Sequence, residues 1–340
     1  MQTGKVIEEP RDVALEEKLA FLRQPLAYPD NPKRVETIET HKSWVFMTER
    51  FVYKLKKPIR YNSADFRELA TRCHFCQEEL SLNQALAAGT YVDVAKLRRD
   101  DCGTLSISGS GQIVECLVKM RRLPAQRFMS SLIAAGRMEI TDIARLSNLL
   151  TGFYRSSSPM PVTTDQYRAT LEREIRLNVV TEQGVDSALA ALVQSRQLDF
   201  LRTSAAQFDD RVSRSRIVDG HGDLRPEHIC LVDPPAIIDR LEFDPLLRIV
   251  DPVDELSFFS LECERLGAQE IGDRIFHEYC QLTGDRPPDP LVRFYKSYRA
   301  AMWARLAAWR IRDAAEARRN SWIARANEYL GIAERYLPGD

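Results

Sequence analysis

The sequence predicts an α+β chain in two lobes, a β-rich amino-terminal lobe and a mainly helical carboxy-terminal lobe. Three observations carry that prediction. The chain has 340 residues, more than one ordinary compact core accommodates. Short runs rich in β-branched and aromatic residues cluster before Met120. After Pro124 apolar residues recur at helical intervals, and one polar strand-and-loop block over 216–243 interrupts them. The expected lobes are 1–118 and 119–340.

The elements follow in order. Arg11 to Arg23 reads as a short amphipathic helix carrying Leu15, Leu19 and Leu22. Pro25 to Pro32 is a loop rich in Pro, Asp, Asn and Tyr. Strands are expected over 35–40, 43–48 and 51–56, the last two joined by a tight hairpin at Glu49-Arg50. Residues 64–88 read as a helix through Phe66, Leu69, Ala70, Cys73, Leu80 and Leu86. Strand character returns at 91–98 and 104–120, with Gly109-Ser110-Gly111 as a turn. Helices are then expected at 126–135, 139–156, 163–181 and 186–204. Past the polar block they resume at 252–266, 268–282, 289–317 and 320–336, with Pro287, Pro288 and Pro290 marking the last break.

Composition narrows the class. Hydrophobic residues at 44% and charged residues at 29% are globular values, and a net charge of −1 argues against nucleic acid or a membrane surface as the main partner. No apolar run approaches the roughly 20 residues that span a bilayer. Met1 to Pro10 holds Lys5, Glu8 and Glu9 and no apolar core of a signal peptide, so the expected location is the cytoplasm. The seven cysteines are odd in number and scattered, which suits reduced core thiols rather than a disulfide framework. Cys73-His74-Phe75-Cys76 is half of a zinc motif with no second pair at suitable spacing, and its spacing also fits one face of a helix.

The chemistry concentrates in the polar block. Val218-Asp219-Gly220-His221-Gly222-Asp223 leads into the apolar Ile229-Cys230-Leu231-Val232. Pro234-Pro235 then turns the chain into Ala236-Ile237-Ile238-Asp239. Two short strands thus flank loops that present carboxylates. Phosphoryl transfer uses one such group to orient a hydroxyl and accept its proton, and another to hold a metal.

His221-Gly222-Asp223, a strand, a turn and Asp239 resemble the catalytic and metal-binding loops of the aminoglycoside phosphotransferase and choline kinase families, small-molecule relatives of protein kinases. The resemblance runs from about Leu22 to about Ala307. It is strongest at 40–45, 53–58, 220–231, 238–243 and 251–256. Within these families it is nearest to an uncharacterised bacterial group, some of whose members carry an added P-loop domain. No Gly-x-x-x-x-Gly-Lys-Ser/Thr sequence occurs here, so the chain resembles the stand-alone form.

The resemblance implies a two-lobed protein-kinase-like fold, ATP and Mg2+ as cofactors, and a small-molecule acceptor. It makes Asp223 the catalytic base, Asp239 the metal-holding aspartate, and Asp254 a structural aspartate that braces the catalytic loop. Glu242 would support the metal shell. Arg225, a planar donor on the same loop, would contact phosphate. Lys54, on the strand Phe51 to Lys56, would hold the α/β-phosphates with Lys56 on the same face, and Glu79 would orient it, with Glu78 as the alternative. Cys116 to Met120 would be the crossing segment whose backbone, at Val118 and Met120, binds adenine.

One position departs from the pattern. Where the families have asparagine five residues after the base, this chain has His228. Imidazole is a single donor that suits softer metals than magnesium, so Mn2+ enters as a possible cofactor. His228 could ligate metal, bond Asp223 or a phosphate, or mark lost catalysis. The resemblance implies a phosphotransferase acting on a small-molecule hydroxyl, His228 motivates the alternative of a nucleotide-binding pseudokinase or regulatory module, and a third possibility keeps the fold but performs nucleotidyl transfer to a protein. The late helices mix Lys296, Arg299, Arg305, Arg310 and Arg312 with Tyr298, Trp303 and Trp309. Arg299 or Arg305 is the expected contact for an anionic acceptor.

Overall fold

The computed structural model describes residues 13–60 and 65–338. The amino-terminal segment read as lacking a signal peptide, and the first two residues of the expected opening helix, lie outside them. The chain divides into two compact units. The first runs to Pro124 and includes Glu242–Asp244, and the second is Ala125–Leu241 with the chain from Pro245 onward.

The first unit is built on α1 (Leu15–Leu22), β1 (Glu36–Glu39), β2 (Ser43–Met47), β3 (Phe51–Lys56), α2 (Leu69–Asn83), β4 (Tyr91–Arg99), β5 (Leu105–Ile107) and β6 (Gln112–Arg121). The six strands form one antiparallel sheet in the order β1-β2-β3-β6-β4-β5. Thr48 makes the β2–β3 hairpin, its hydroxyl accepting from the amides of Arg50 and Phe51. Alternation along β3 puts Tyr53 and Leu55 into a core with Leu22, Phe46, Leu97 and Leu117, and leaves Lys54 and Lys56 on the opposite face. A buried charge cluster ties both helices to β6. Lys18 of α1 bonds the Val114 carbonyl at 2.7 Å and Glu115 at 3.1 Å, and Arg72 of α2 grips Glu115 with two bonds of 2.9 and 2.7 Å.

Two sequence expectations fail in this unit. Cys73 on α2 and Cys116 on β6 form a disulfide, whereas all cysteines were expected as thiols. The sequence separates the pair by 43 residues, but packing α2 onto β6 brings the two positions together. The expected crossing segment lies inside a strand. Val118 pairs with Lys54 on one side and Val94 on the other, and Met120 with Val52 and Tyr91. An interior strand uses its amides and carbonyls in two ladders, so β6 is not the connection between units. Arg122-Leu123-Pro124, past its end, makes that connection.

The second unit holds α3 (Met129–Ala134), α4 (Ile140–Ser156), α5 (Thr164–Leu177), α6 (Ser187–Thr203), α7 (Ala205–Ser213), α8 (Pro252–Arg265), α9 (Gln269–Thr283), α10 (Asp289–Asp313) and α11 (Glu316–Arg335). Helix α7, unanticipated, follows α6 directly through the shared residue Ser204. Val193, Phe258, Leu261, Ala304, Tyr329 and Leu330 knit α6, α8, α10 and α11 into one core. Between α7 and α8 lie two small antiparallel pairs, β7 (Val218–Asp219) with β10 (Ile249–Val250), and β8 (Ile229–Cys230) with β9 (Ala236–Ile237). Asp251 caps α8 by accepting from the Val253 amide at 2.9 Å, and Pro252 occupies the first turn. These small pairs carry the polar loops of the expected site.

Candidate functional site

In the first unit the structure brings Lys54, Lys56 and Glu79 together. Lys54 Nζ donates to Glu79 Oε1 at 3.0 Å and Lys56 Nζ to Oε2 at 2.6 Å. Glu79 is fully buried, and Cys76, one turn earlier on α2, is buried too, with burial holding its thiol at about 12. Glu242 packs with this unit, and its Oε1 accepts from Lys56 Nζ at 2.5 Å. Burial opposes the charge on Lys56, but Glu79 and Glu242 outweigh it and raise the ammonium pKa above its ordinary value. The sequence expectation placed Glu242 beside a metal. The structure gives it a buried ammonium as partner.

In the second unit the loop after β7 is held from behind by one buried carboxylate. Glu255 accepts from the amide of His221 at 3.0 Å and from that of Gly222 at 2.5 Å. Tyr154 of α4 donates its hydroxyl to the same carboxylate at 2.7 Å. Gly222 adopts φ +88°, and a Cβ there would stand 3.0 Å from both Leu241 Cδ1 and the Leu247 carbonyl, so only glycine fits the turn. His221 is fully buried between two bonds. Its Nδ1 accepts from the Asp223 amide at 3.2 Å, and its Nε2 donates to the Ile238 carbonyl at 2.9 Å. That fixes a neutral tautomer, and burial depresses the ring to about 4. Arg240 and Arg248 both pair with Asp219, and Arg240 Nε also donates to the Gly220 carbonyl at 2.8 Å.

Asp223 emerges from this scaffold beside Arg225 and His228. Arg225 Nε lies 3.0 Å from Asp223 Oδ1, although its N–H is not aimed for a hydrogen bond. The Arg225 guanidinium rests over the Trp303 ring at 4.6 Å. His228 sits on the turn Pro226–His228. Its Nδ1 is 2.9 Å from the Asp223 carbonyl, an acceptor only, so Nδ1 carries the proton. Nε2 is then the acceptor, receiving Arg225 Nη2 at 3.2 Å. Asp239 Oδ2 lies 3.8 Å from the same nitrogen. Asp239 has φ +67°, a left-handed conformation that aspartate tolerates better than most residues. Its side chain keeps 45% of its exposure, against 18% for Asp223.

The brace and the late arginines differ from expectation. Asp254, expected to support the loop, is instead gripped by Arg299 through bonds of 2.7 and 2.5 Å. The loop's brace is the next residue, Glu255. With the cap at Asp251 the two carboxylates point about 100° apart around α8, which adjacency in sequence conceals. Arg299 is therefore bound within the core rather than presented to an acceptor. Arg305 is likewise buried, with Nη2 3.3 Å from Glu174.

A cleft of about 440 Å³ elsewhere on this unit is lined by Arg155, Arg214, Arg216, Tyr279 and Thr283. It gathers the carboxy-terminal ends of α4, α7 and α9, whose partial negative charges those arginines offset, and it contains none of the predicted site residues.

No protein-family model matches the chain. Uncharacterised proteins of Mycobacterium tuberculosis and Mycobacterium bovis are 29% identical over 279 residues, covering 80% of this chain and 54% of theirs. The chain thus spans about half the length of the curated relatives it matches. Among solved structures, a choline kinase of Cryptosporidium parvum aligns over 94% of each chain with a TM-score of 0.57 and 9% identity. A thermostable mutant of aminoglycoside phosphotransferase APH(4)-Ia, in complex with AMP-PNP and hygromycin B, aligns over 94% of this chain and 98% of its own, with a TM-score of 0.55 and 12% identity. LicA in complex with AMP aligns over 89% and 92%, with a TM-score of 0.53 and 12% identity. Identities this low speak to architecture alone: the chain has the kinase-like α+β fold seen in aminoglycoside phosphotransferases and choline kinases.

Proposed function

We propose that the protein is an ATP-dependent phosphotransferase that moves a phosphoryl group to the hydroxyl of a small molecule. The observation that carries this reading is the Asp223 loop. A buried glutamate, a neutral histidine and a left-handed glycine fix the backbone of the loop from which the Asp223 side chain projects. Such rigidity suits a group that must meet a hydroxyl and accept its proton. Lys54 and Lys56, fixed by Glu79, supply the cations that phosphates need, and Arg225 supplies a further donor beside Asp223.

Among the described residues no group of three or more His, Cys, Asp or Glu side chains gathers to hold a metal, so a divalent cation would have to arrive with the nucleotide and meet one pair of donors. Asp239 offers a half-exposed carboxylate and His228 an unprotonated nitrogen within 3.8 Å of it. When bound, the ion would neutralise charge on the transferring phosphate. Glu242 has a different part in this reading, as counter-charge to Lys56.

The test is turnover of ATP with a library of hydroxyl-bearing metabolites, wild type against Asp223→Ala. Loss of a general base typically lowers the rate about 10²- to 10⁴-fold. Equal rates for every acceptor and metal tried would remove the phosphotransferase reading. His228 keeps a second reading open, a nucleotide-binding module without turnover. It predicts thermal stabilisation by nucleotide with no product formed.

A further inference from the structure

We infer that the cleft at the carboxy-terminal ends of α4, α7 and α9 is a further binding site, built for the phosphate group of a small molecule. It lies within the second unit and shares no residue with the Asp223 loop, so it stands whether or not that loop transfers phosphate.

Three side chains on its wall have donors to spare. Tyr279 of α9 is only 2% exposed, yet its hydroxyl has no hydrogen-bond partner among the described residues. Its ring packs edge-on against Tyr154 at 5.8 Å, a contact that phenylalanine would make equally well, so packing does not account for the hydroxyl. Buried hydroxyls are normally hydrogen-bonded, and one that is not calls for a partner from outside the chain. Burial also raises its pKa above the ordinary tyrosine value, so it keeps its proton and can donate. Arg216 is the second. Its Nε lies 4.0 Å from Asp285 Oδ2, beyond hydrogen-bond reach, because Arg211 holds both oxygens of that carboxylate at 2.6 and 2.7 Å. Arg155, in the last turn of α4, is exposed and forms no ion pair with a described residue.

The helix ends explain only part of this. Each brings about half a negative charge, which accounts for basic residues gathering nearby. It does not account for two guanidiniums and a tyrosine hydroxyl lining one cavity without acceptors. Arg214 is the contrast, since it is paired with Asp210 at 2.8 Å. Among the described residues no acidic side chain lines the cleft, so nothing on its wall competes for the free donors. Its volume of about 440 Å³ is that of a small-molecule site. The spare donors come from α4, from the turn after α7 and from α9. A planar carboxylate is satisfied by one guanidinium fork, whereas the oxygens of a phosphate point several ways and can accept from all three elements.

The full chain is titrated by calorimetry with phenyl phosphate and with benzoate, which share a ring and differ in the anion. Phenyl phosphate should bind the wild type more tightly than benzoate does. Arg216→Gln and Tyr279→Phe should each weaken it about tenfold, the usual size of a charge-assisted hydrogen bond. Arg155→Gln changes an exposed residue and puts the fold at no risk, and it should weaken binding in the same way. Lys54→Ala and Arg225→Ala should bind phenyl phosphate as the wild type does, which separates this cleft from any phosphate held at the other two groups of cations. Failure of phenyl phosphate to bind, or equal affinity in wild type, Arg155→Gln and Arg216→Gln, overturns the inference. So does binding that is lost with Lys54→Ala or Arg225→Ala. Benzoate bound as tightly as phenyl phosphate overturns the assignment to phosphate.

Discussion

His221 illustrates how one buried side chain reports on the folded state. Its ring is fully enclosed and depressed to about 4, against about 6.5 in an unfolded chain. The folded protein thus resists a proton that the unfolded chain accepts. Stability from this group is fully present above pH 6.5 and is lost as pH falls toward 4. The difference amounts to about 3 kcal/mol. Urea titrations of wild type and His221→Asn across that window should show the wild type losing about this much more stability than the variant. Parallel pH profiles would show that the ring protonates freely in the folded state. At this scale the sequence pointed to the residues of the proposed chemistry and not to those that hold them. Lys54, Glu79, Asp223 and Asp239 were readable through the resemblance to small-molecule kinases, and the structure joins the first two at 3.0 Å. Glu255 was not, because what separates it from Asp254 is the angle between successive side chains on α8, and that depends on where the helix is capped.

Among the elements, α2 and β6 show what strand and helix patterns leave out. Both were legible as elements. The bond between Cys73 and Cys116 was not, because cysteine count and spacing carry no information about which faces meet. A cross-link spanning 43 residues restricts the unfolded chain and is expected to contribute about 4 kcal/mol. Denaturant midpoints measured with and without dithiothreitol should differ accordingly, and Cys73→Ser should match the reduced protein. Coincident midpoints would show that the thiols remain apart in solution. The same helix carries Glu79, so loosening it should also free Lys54 and Lys56 from their shared partner. The limit of β6 has a similar origin. Its run of Cys116 to Met120 reads as a connection only while its neighbours are unknown. With β3 and β4 on either side it becomes the middle of a sheet.

Across the whole molecule, each unit carries a distinct part of the proposed chemistry. The first provides two lysines and their glutamates, and the second provides Asp223, Arg225, His228 and Asp239. The order of strands before helices announced this division, since the hydrophobic period changes from two to near four where the sheet ends. The acceptor was not legible. The arginines that seemed to offer an anionic contact, Arg299 and Arg305, are committed to Asp254 and Glu174.

The four side chains Lys54, Lys56, Glu79 and Glu242 have a consequence for any polyphosphate that approaches them. Two ammonium groups already face two carboxylates. The quartet is electroneutral, so it is a poor trap for a bare tetra-anion, which would be drawn to the lysines and repelled by the glutamates almost equally. A nucleotide that arrives already chelated presents half that negative charge and brings a cation of its own, which the glutamates attract rather than repel. Chelate and free nucleotide should therefore compete unequally: adding EDTA should weaken AMP-PNP binding about tenfold or more by calorimetry, while Glu242→Gln, which leaves the quartet with a net positive charge, should narrow that gap by strengthening the metal-free complex.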